Sequence, residues 1–91
     1  MPSNIGEGGS CQKLSISSTS TQSAVIKGTV VHVTPTVDCF IRDGLNPVAL
    51  STGVDHFLVA NATQEFQTEK GNILAFITTS AAGTVYISVV G

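Results

Sequence analysis

A few residues of this chain have side chains that could take part in catalysis. Cys39 carries the thiol of a cysteine nucleophile, and His56 or His32 could act as its base. Asp55 could orient that base, which completes the residue types of a cysteine hydrolase. Because no sequence motif brings these residues together, we predict no enzyme activity and no catalytic residue. A cysteine hydrolase using Cys39 and His56 is the distant alternative.

The same residue types could hold a metal ion. His32 and His56 are the only histidines, and Asp38, Asp55 or Cys39 could complete a set of ligands. Neither histidine has a second ligand at a recognisable metal-binding spacing, and a histidine within a strand is more often structural. We therefore predict no metal ligand, no cofactor and no cofactor-binding residue.

Cys11 and Cys39 are the only two cysteines. We expect two reduced, partly buried thiols, because a cytoplasmic protein rarely keeps a disulfide. The alternative is a disulfide that joins the first strand to a central one.

Charge and hydropathy exclude two classes of partner. The net charge is −2, and the chain has only four basic residues, which is too few for a nucleic-acid-binding surface. No run of 18 apolar residues is present, and the first nine residues lack the basic start and apolar centre of a signal peptide. We expect no direct nucleic-acid or membrane partner, and a protein that stays in a cytoplasm until it is assembled.

The composition favours strands over helices. Charged residues make up only 11% of the chain, whereas Val, Ile and Thr account for 29 of the 91 residues. These β-branched side chains suit strands and are disfavoured in helices. We predict an all-β protein with no helix.

Alternating apolar and polar residues predict six to eight short strands. Leu14 and Ile16 lie on one face of the first strand, which is predicted to be an edge strand, and Val37, Cys39 and Ile41 share a face of another. The predicted strands before the C-terminal part cover residues 11–17, 24–26, 29–34, 36–43, 54–60 and 63–68, with residues 48–53 as a loop or short strand.

The C-terminal stretch from Lys70 to Gly91 is predicted to be a β-hairpin that belongs to the core and to an interface. Residues 73–77 and 85–90 alternate as two strands, and the small residues 79–84 between them suit a hairpin loop. Nearly every side chain of both arms is apolar, which indicates a strand pair covered on both faces.

These elements predict one domain. Residues 1–10 are rich in glycine and serine and are predicted to form a flexible N-terminal arm, and residues 11–91 are predicted to form a single antiparallel β-sandwich, Ig-like or jelly-roll-like. A chain this short buries only roughly 60–65% of its surface on folding, so sharing burial in a homo-oligomer would stabilise it.

Several short motifs resemble a family of small β-rich proteins encoded among the virion-structural genes of tailed bacteriophages. The resemblance covers about Ser15 to Val90 and is carried, in order, by Thr36-Val37-Asp38-Cys39-Phe40-Ile41, Gly44-x-Asn46-Pro47-x-Ala49, Glu65-Phe66, Gly71-Asn72 and residues 80–87, Ser-Ala-Ala-Gly-Thr-Val-Tyr-Ile. Relatives usually have an aspartate and a basic residue after the glycine at position 71, and this chain has Asn72 and Ile73 instead. The turn therefore lacks the charged side chains that relatives have at these positions.

The resemblance implies a role but no catalytic residues. It implies a capsid cement or decoration protein, a homotrimer on the capsid surface of the virion, that stabilises the lattice of the major capsid protein. A head–tail connector or tail component is the alternative within the same family. On either reading the protein is synthesised in the host cytoplasm, and its contacts are expected to use hydroxyls and apolar strands rather than salt bridges.

Overall fold

The chain folds into two four-stranded antiparallel sheets that pack face to face. The computed structural model describes residues 11–50, 55–79 and 81–90, and none of these residues is helical. The strands are β1 (Cys11–Ile16), β2 (Thr21–Gln22), β3 (Val30–Pro35), β4 (Cys39–Gly44), β5 (His56–Leu58), β6 (Gln64–Gln67), β7 (Ile73–Thr78) and β8 (Gly83–Val89). The predicted all-β sandwich is confirmed.

The strand order is that of an eight-stranded jelly roll. Sheet A has the order β1-β8-β3-β6, and sheet B has the order β2-β7-β4-β5. Strand pairs are nested along the chain, since β1 pairs with β8, β2 with β7, β3 with β6 and β4 with β5, all antiparallel. This nesting of two Greek keys defines the jelly roll among the β-sandwiches.

The core lies between the two sheets and is built by the predicted alternation. Inward residues of both sheets form one cluster of buried side chains: Ile16, Ile26, Val31, Val33, Cys39, Ile41, Leu58, Leu74, Phe76, Val85 and Ile87. Burying each of the larger aliphatic or aromatic side chains contributes about 1.5–3 kcal/mol, which makes this cluster the main source of stability. The predicted inward face of β4 (Cys39 and Ile41) and the predicted edge position of β1 are both confirmed.

The predicted C-terminal hairpin is wrong, although both of its strands exist. β7 lies in sheet B between β2 and β4, and β8 lies in sheet A between β1 and β3, so the two strands are not paired with each other. The connection between them crosses from one sheet to the other. Alternation identifies a strand but not its partner, and a turn of small residues serves a crossing between sheets as well as a hairpin.

The assignment around β2 also differs from the prediction. The strand residues are Thr21 and Gln22, which lie between the predicted strands 11–17 and 24–26, and residues 24–26 are not a strand. Ile26 nevertheless exchanges two backbone hydrogen bonds of 2.8 Å with the turn before β7, to Asn72 and from Gly71. Its buried side chain and these bonds close the sheet edge without regular strand geometry.

Residues 45–50 run across the outer face of sheet B, from the β2 edge to the β5 edge. Gln22 Nε2 donates to Asn46 Oδ1 and to the Pro47 carbonyl, both at 2.8 Å. At the other edge, the Leu50 amide donates to Asp55 Oδ2 at 2.7 Å. The predicted flexible arm (residues 1–10) and the predicted strand or loop positions 51–54 lie outside the described residues.

Candidate functional site

Cys39 lies in the core and is poorly suited to act as a nucleophile. Its side chain is fully buried, and its register partners are Leu58 on β5 and Thr78 on β7. Burial in the apolar core, and secondarily the negative charge of Asp38, raises the pKa of the Cys39 thiol to about 11. Since the thiolate is the reactive form, this thiol is less reactive at neutral pH than an exposed one.

The other members of the candidate hydrolase site have different partners. His56 Nε2 donates to Gln64 Oε1 at 3.0 Å, and its ring packs edge-on against Phe66. Asp55 accepts from Arg42 and from the Leu50 amide, so both of its oxygens are engaged away from the histidine. The structure therefore does not assemble the nucleophile, base and acid that the sequence offered.

The two histidines lie on different sheets. His32 is on the outer face of sheet A, where its Nε2 lies 2.9 Å from Glu65 Oε1, whereas His56 lies at the β5 edge of sheet B. Among residues 11–50, 55–79 and 81–90, no group of three or more His, Cys, Asp or Glu side chains is placed to hold a metal ion.

The two cysteines are also separated. Cys39 points into the core of sheet B, whereas Cys11 is exposed on β1 of sheet A, with its thiol donating to Ser88 Oγ at 3.7 Å. No disulfide joins them, in agreement with the prediction of two thiols, but the prediction that both are partly buried is wrong for Cys11, which is exposed.

A polar row on the outer face of sheet A was not found from the sequence. The strand register places Cys11 beside Ser88, Ser88 beside His32, and His32 beside Glu65, across all four strands. These are nucleophile, base and acid types, but within the described part of the chain no hydrogen bond joins Ser88 to His32. The row lies on a sheet face, and only the long-range pairing of β1, β8, β3 and β6 brings it together.

A cleft of about 260 Å³ opens where the edges of β5 and β6 meet. Its apolar floor consists of Ile41, Phe66 and Leu74. Its polar wall consists of Arg42, Asp43, Asp55, His56, Gln67 and Thr68. The sequence contained His56 and Asp55 as candidates, but for a different chemistry and with different partners.

The outer face of sheet B carries an apolar surface, which we call the sheet B patch. It consists of Phe40, Phe57 and Ile77, which the register places side by side, and of Val59. The rings of Phe40 and Phe57 are 5.3 Å apart, and Phe57 is 42% exposed. The neighbouring segment 45–50 adds three further exposed apolar side chains, Leu45, Val48 and Leu50.

Comparisons with protein-family models, with curated proteins and with solved structures find no significant match to this chain. Among the described residues, no helix is long and apolar enough to span a membrane.

Proposed function

We propose that this protein is a non-enzymatic structural component of a tailed-bacteriophage virion, a cement or decoration protein that binds the major capsid protein lattice on the capsid surface. The family proposal comes from the sequence resemblance. The structural observation that supports it best is the sheet B patch, because an exposed cluster of large apolar side chains on a small domain is typical of a protein-binding surface.

The electrostatics around the patch favour an apolar contact. On sheet B, Arg42 and Asp55 form an ion pair, with Arg42 Nε 2.7 Å from Asp55 Oδ1. Arg42 is therefore already neutralised by its own chain. Attachment through this face would depend on burial of Phe57 and its neighbours, and would weaken little as salt is added.

The proposed oligomer is a homotrimer. The fold supports an oligomer less than the sequence did. The apolar C-terminal strands were expected to provide an interface, but β7 and β8 are central strands whose inward side chains are buried within the domain itself. The remaining support is the low charge of the chain and the exposed sheet B patch.

Counting copies per virion tests the proposal. Quantitative mass spectrometry of purified particles, normalised to the major capsid protein, should give a near-stoichiometric ratio for a cement protein. A head–tail connector or tail component would instead be present in about a dozen copies or fewer at one vertex. That result, or the absence of the protein from purified particles, would reject the cement role.

A further inference from the structure

The cleft between β5 and β6 is lined by the guanidinium of Arg42, which is held in place by Asp55, and by the carboxylate of Asp43, which has one oxygen without a hydrogen bond among the described residues. Asp55 is only 5% exposed, and its Oδ1 accepts from Arg42 Nε at 2.7 Å while its Oδ2 accepts from the Leu50 amide. Each oxygen of this carboxylate already accepts one hydrogen bond, and its role is to hold Arg42 in place. Arg42 bonds Asp55 through Nε, and its side chain remains 39% exposed, so further guanidinium N–H groups are available as donors.

Asp43 supplies the acceptor beside those donors. Its Oδ2 accepts from Thr68 Oγ1 at 3.0 Å and from Asn72 Nδ2 at 3.4 Å, which fixes the orientation of the carboxylate. Within the described residues its Oδ1 has no hydrogen bond to the protein. Consecutive residues of a strand point to opposite faces, so Arg42 and Asp43 reach the cleft from opposite sides of β4, and both line it together with the apolar floor.

The charges of the cleft decide which ligand fits. An anion would meet Arg42 but would also face the carboxylates of Asp43 and Asp55. A cation would face Arg42 and would find the Asp55 oxygens already engaged. A purely apolar ligand would take water from the polar wall without replacing its hydrogen bonds, which is costly.

We propose that this cleft binds a neutral polyol, in the form of a single sugar residue. Each hydroxyl group of a sugar ring can donate and accept, so one hydroxyl can accept from Arg42 while another on the same ring donates to Asp43. The C–H face of the ring would lie on the apolar floor, which includes Phe66. The volume of about 260 Å³ is below the usual range for drug-sized ligands, which limits the occupant to about one ring.

Chemical-shift mapping with single sugars tests this site directly, and it does not depend on the virion role. Isotope-labelled protein would be titrated with the methyl glycosides of glucose, galactose, mannose and N-acetylglucosamine, each up to about 100 mM. Glucuronate and inorganic phosphate would serve as anionic probes. We expect saturable shifts for at least one neutral sugar, centred on the amides of Arg42, Asp43, His56 and Thr68.

A pair of matched variants links binding to the proposed acceptor. Asp43→Asn preserves the shape and one acceptor oxygen but removes the charge, and it should weaken sugar binding about tenfold or more. Asp38→Asn makes the same change at a carboxylate that accepts from the Ala60 amide outside the cleft, and it should leave sugar affinity unchanged. Circular dichroism and the amide spectrum would show that both variants are folded.

Three results would overturn the proposal. The first is the absence of saturable shifts at cleft amides for every neutral sugar, measured on the unchanged protein. The second is tighter binding of glucuronate or phosphate than of any neutral sugar, which would make Arg42 part of an anion site. The third is equal sugar affinity of folded Asp43→Asn and the unchanged protein.

Discussion

At the scale of single residues, two polar side chains of the described part of the chain are buried, and they differ in whether the hydroxyl has a hydrogen-bond partner. Ser23 is buried, but its Oγ accepts from the Leu74 amide at 3.1 Å and donates to the Ala24 carbonyl at 2.7 Å. Thr78 is 1% exposed, and its Oγ1 has no hydrogen-bond partner among the described residues. A buried hydroxyl without a partner costs free energy of folding, whereas a satisfied one costs little.

Replacing Thr78 should therefore stabilise the protein. Thr78→Val keeps the branched shape and removes the unsatisfied hydroxyl, so we expect a gain of about 1 kcal/mol, or about 4–8 °C in the melting temperature. Thermal unfolding followed by circular dichroism would measure it. Thr34→Val is the matched control, because it removes a hydroxyl that bonds Thr63 at 2.6 Å, and it should give no gain. A lower melting temperature for Thr78→Val would contradict this account.

Burial should protect the Cys39 thiol from alkylation. With its pKa raised to about 11 and its side chain in the core, Cys39 should react with iodoacetamide far more slowly than the exposed Cys11 in the native protein. Peptide mapping after a timed reaction would separate the two sites. Fast labelling of Cys39 would revive the cysteine-hydrolase alternative.

The same thiol gives the protein a pH-dependent stability. Because the folded-state pKa of Cys39 is about 11 and the ordinary value is 9.0, the unfolded state loses this proton first as the pH rises. The stabilising contribution is full below about pH 9 and is lost towards pH 11, by on the order of 2–3 kcal/mol. Urea unfolding at pH 8, 9, 10 and 11 would measure the loss. In Cys39→Ala the loss over this range should be smaller by that amount, and equal losses in the two proteins would refute the assignment.

At the scale of elements, the crossing between β7 and β8 depends on close packing at Gly83. A Cβ at Gly83 would lie 2.6 Å from Val37 Cγ2 and 2.9 Å from Thr36 Oγ1. The facing segment is held in place, because the Thr36 amide donates to the Thr84 carbonyl at 2.8 Å and the Thr84 amide donates to Thr36 Oγ1 at 2.9 Å. Space for a side chain is therefore absent where β8 begins.

Gly83→Ala should destabilise the fold by about 1–3 kcal/mol, because Val37 must move out of its packed position. Chemical denaturation would measure the change. The double variant Gly83→Ala with Val37→Ala removes the clashing methyl groups, so its total loss should be smaller than the sum of the two single losses. Strict additivity would show that the Val37 side chain is not the source of the strain.

Local pattern predicted the strands better than it predicted their arrangement. The alternation around Leu14, Val31, Cys39 and Val85 was enough to place β1, β3, β4 and β8 and to identify the inward faces of β1 and β4. The prediction that the C-terminal strands are covered on both faces is wrong for β8, where Tyr86 is 47% exposed. β2 was not predicted, because Thr21 and Gln22 show no apolar alternation. Their strand geometry comes from pairing with Phe76 and Ala75, more than fifty residues away.

The cleft could not be predicted from the sequence, because its residues are brought together only by the pairing of distant strands. The cleft needs Arg42 from β4 next to Asp55 before β5, and Phe66 from β6 in the opposite sheet. None of these residues shares a sequence motif, so only the register of both sheet edges brings them together. The exposure of Phe57 was equally hidden, because Phe57, Leu58 and Val59 are three consecutive apolar residues and the sequence does not indicate which of them faces outwards.

At the scale of the whole molecule, the two outer faces of the sandwich differ in chemistry. Sheet A presents a polar outer surface with the Cys11, Ser88, His32 and Glu65 row, and sheet B presents the apolar patch. Each face carries one exposed aromatic residue of comparable accessibility, Phe57 at 42% on sheet B and Tyr86 at 47% on sheet A. A partner that buries apolar surface should therefore select sheet B.

Paired aromatic substitutions test which face binds the capsid in the proposed cement role. Phe57→Ser should lower the affinity for particles that lack the protein by about tenfold or more, since it removes apolar area from the patch. Tyr86→Ser, a similar truncation on the opposite face, should leave the affinity within about twofold, as a surface substitution outside a contact usually does. Co-sedimentation with such particles would measure both, after circular dichroism has shown that both variants are folded.

Repeating the measurement from about 0.1 M to 1 M salt should change the affinity of the unchanged protein little, because charges separated by more than a few ångströms are screened over that range and an apolar contact is not. A steep fall with salt, or a larger loss for Tyr86→Ser than for Phe57→Ser, would move the attachment surface away from sheet B.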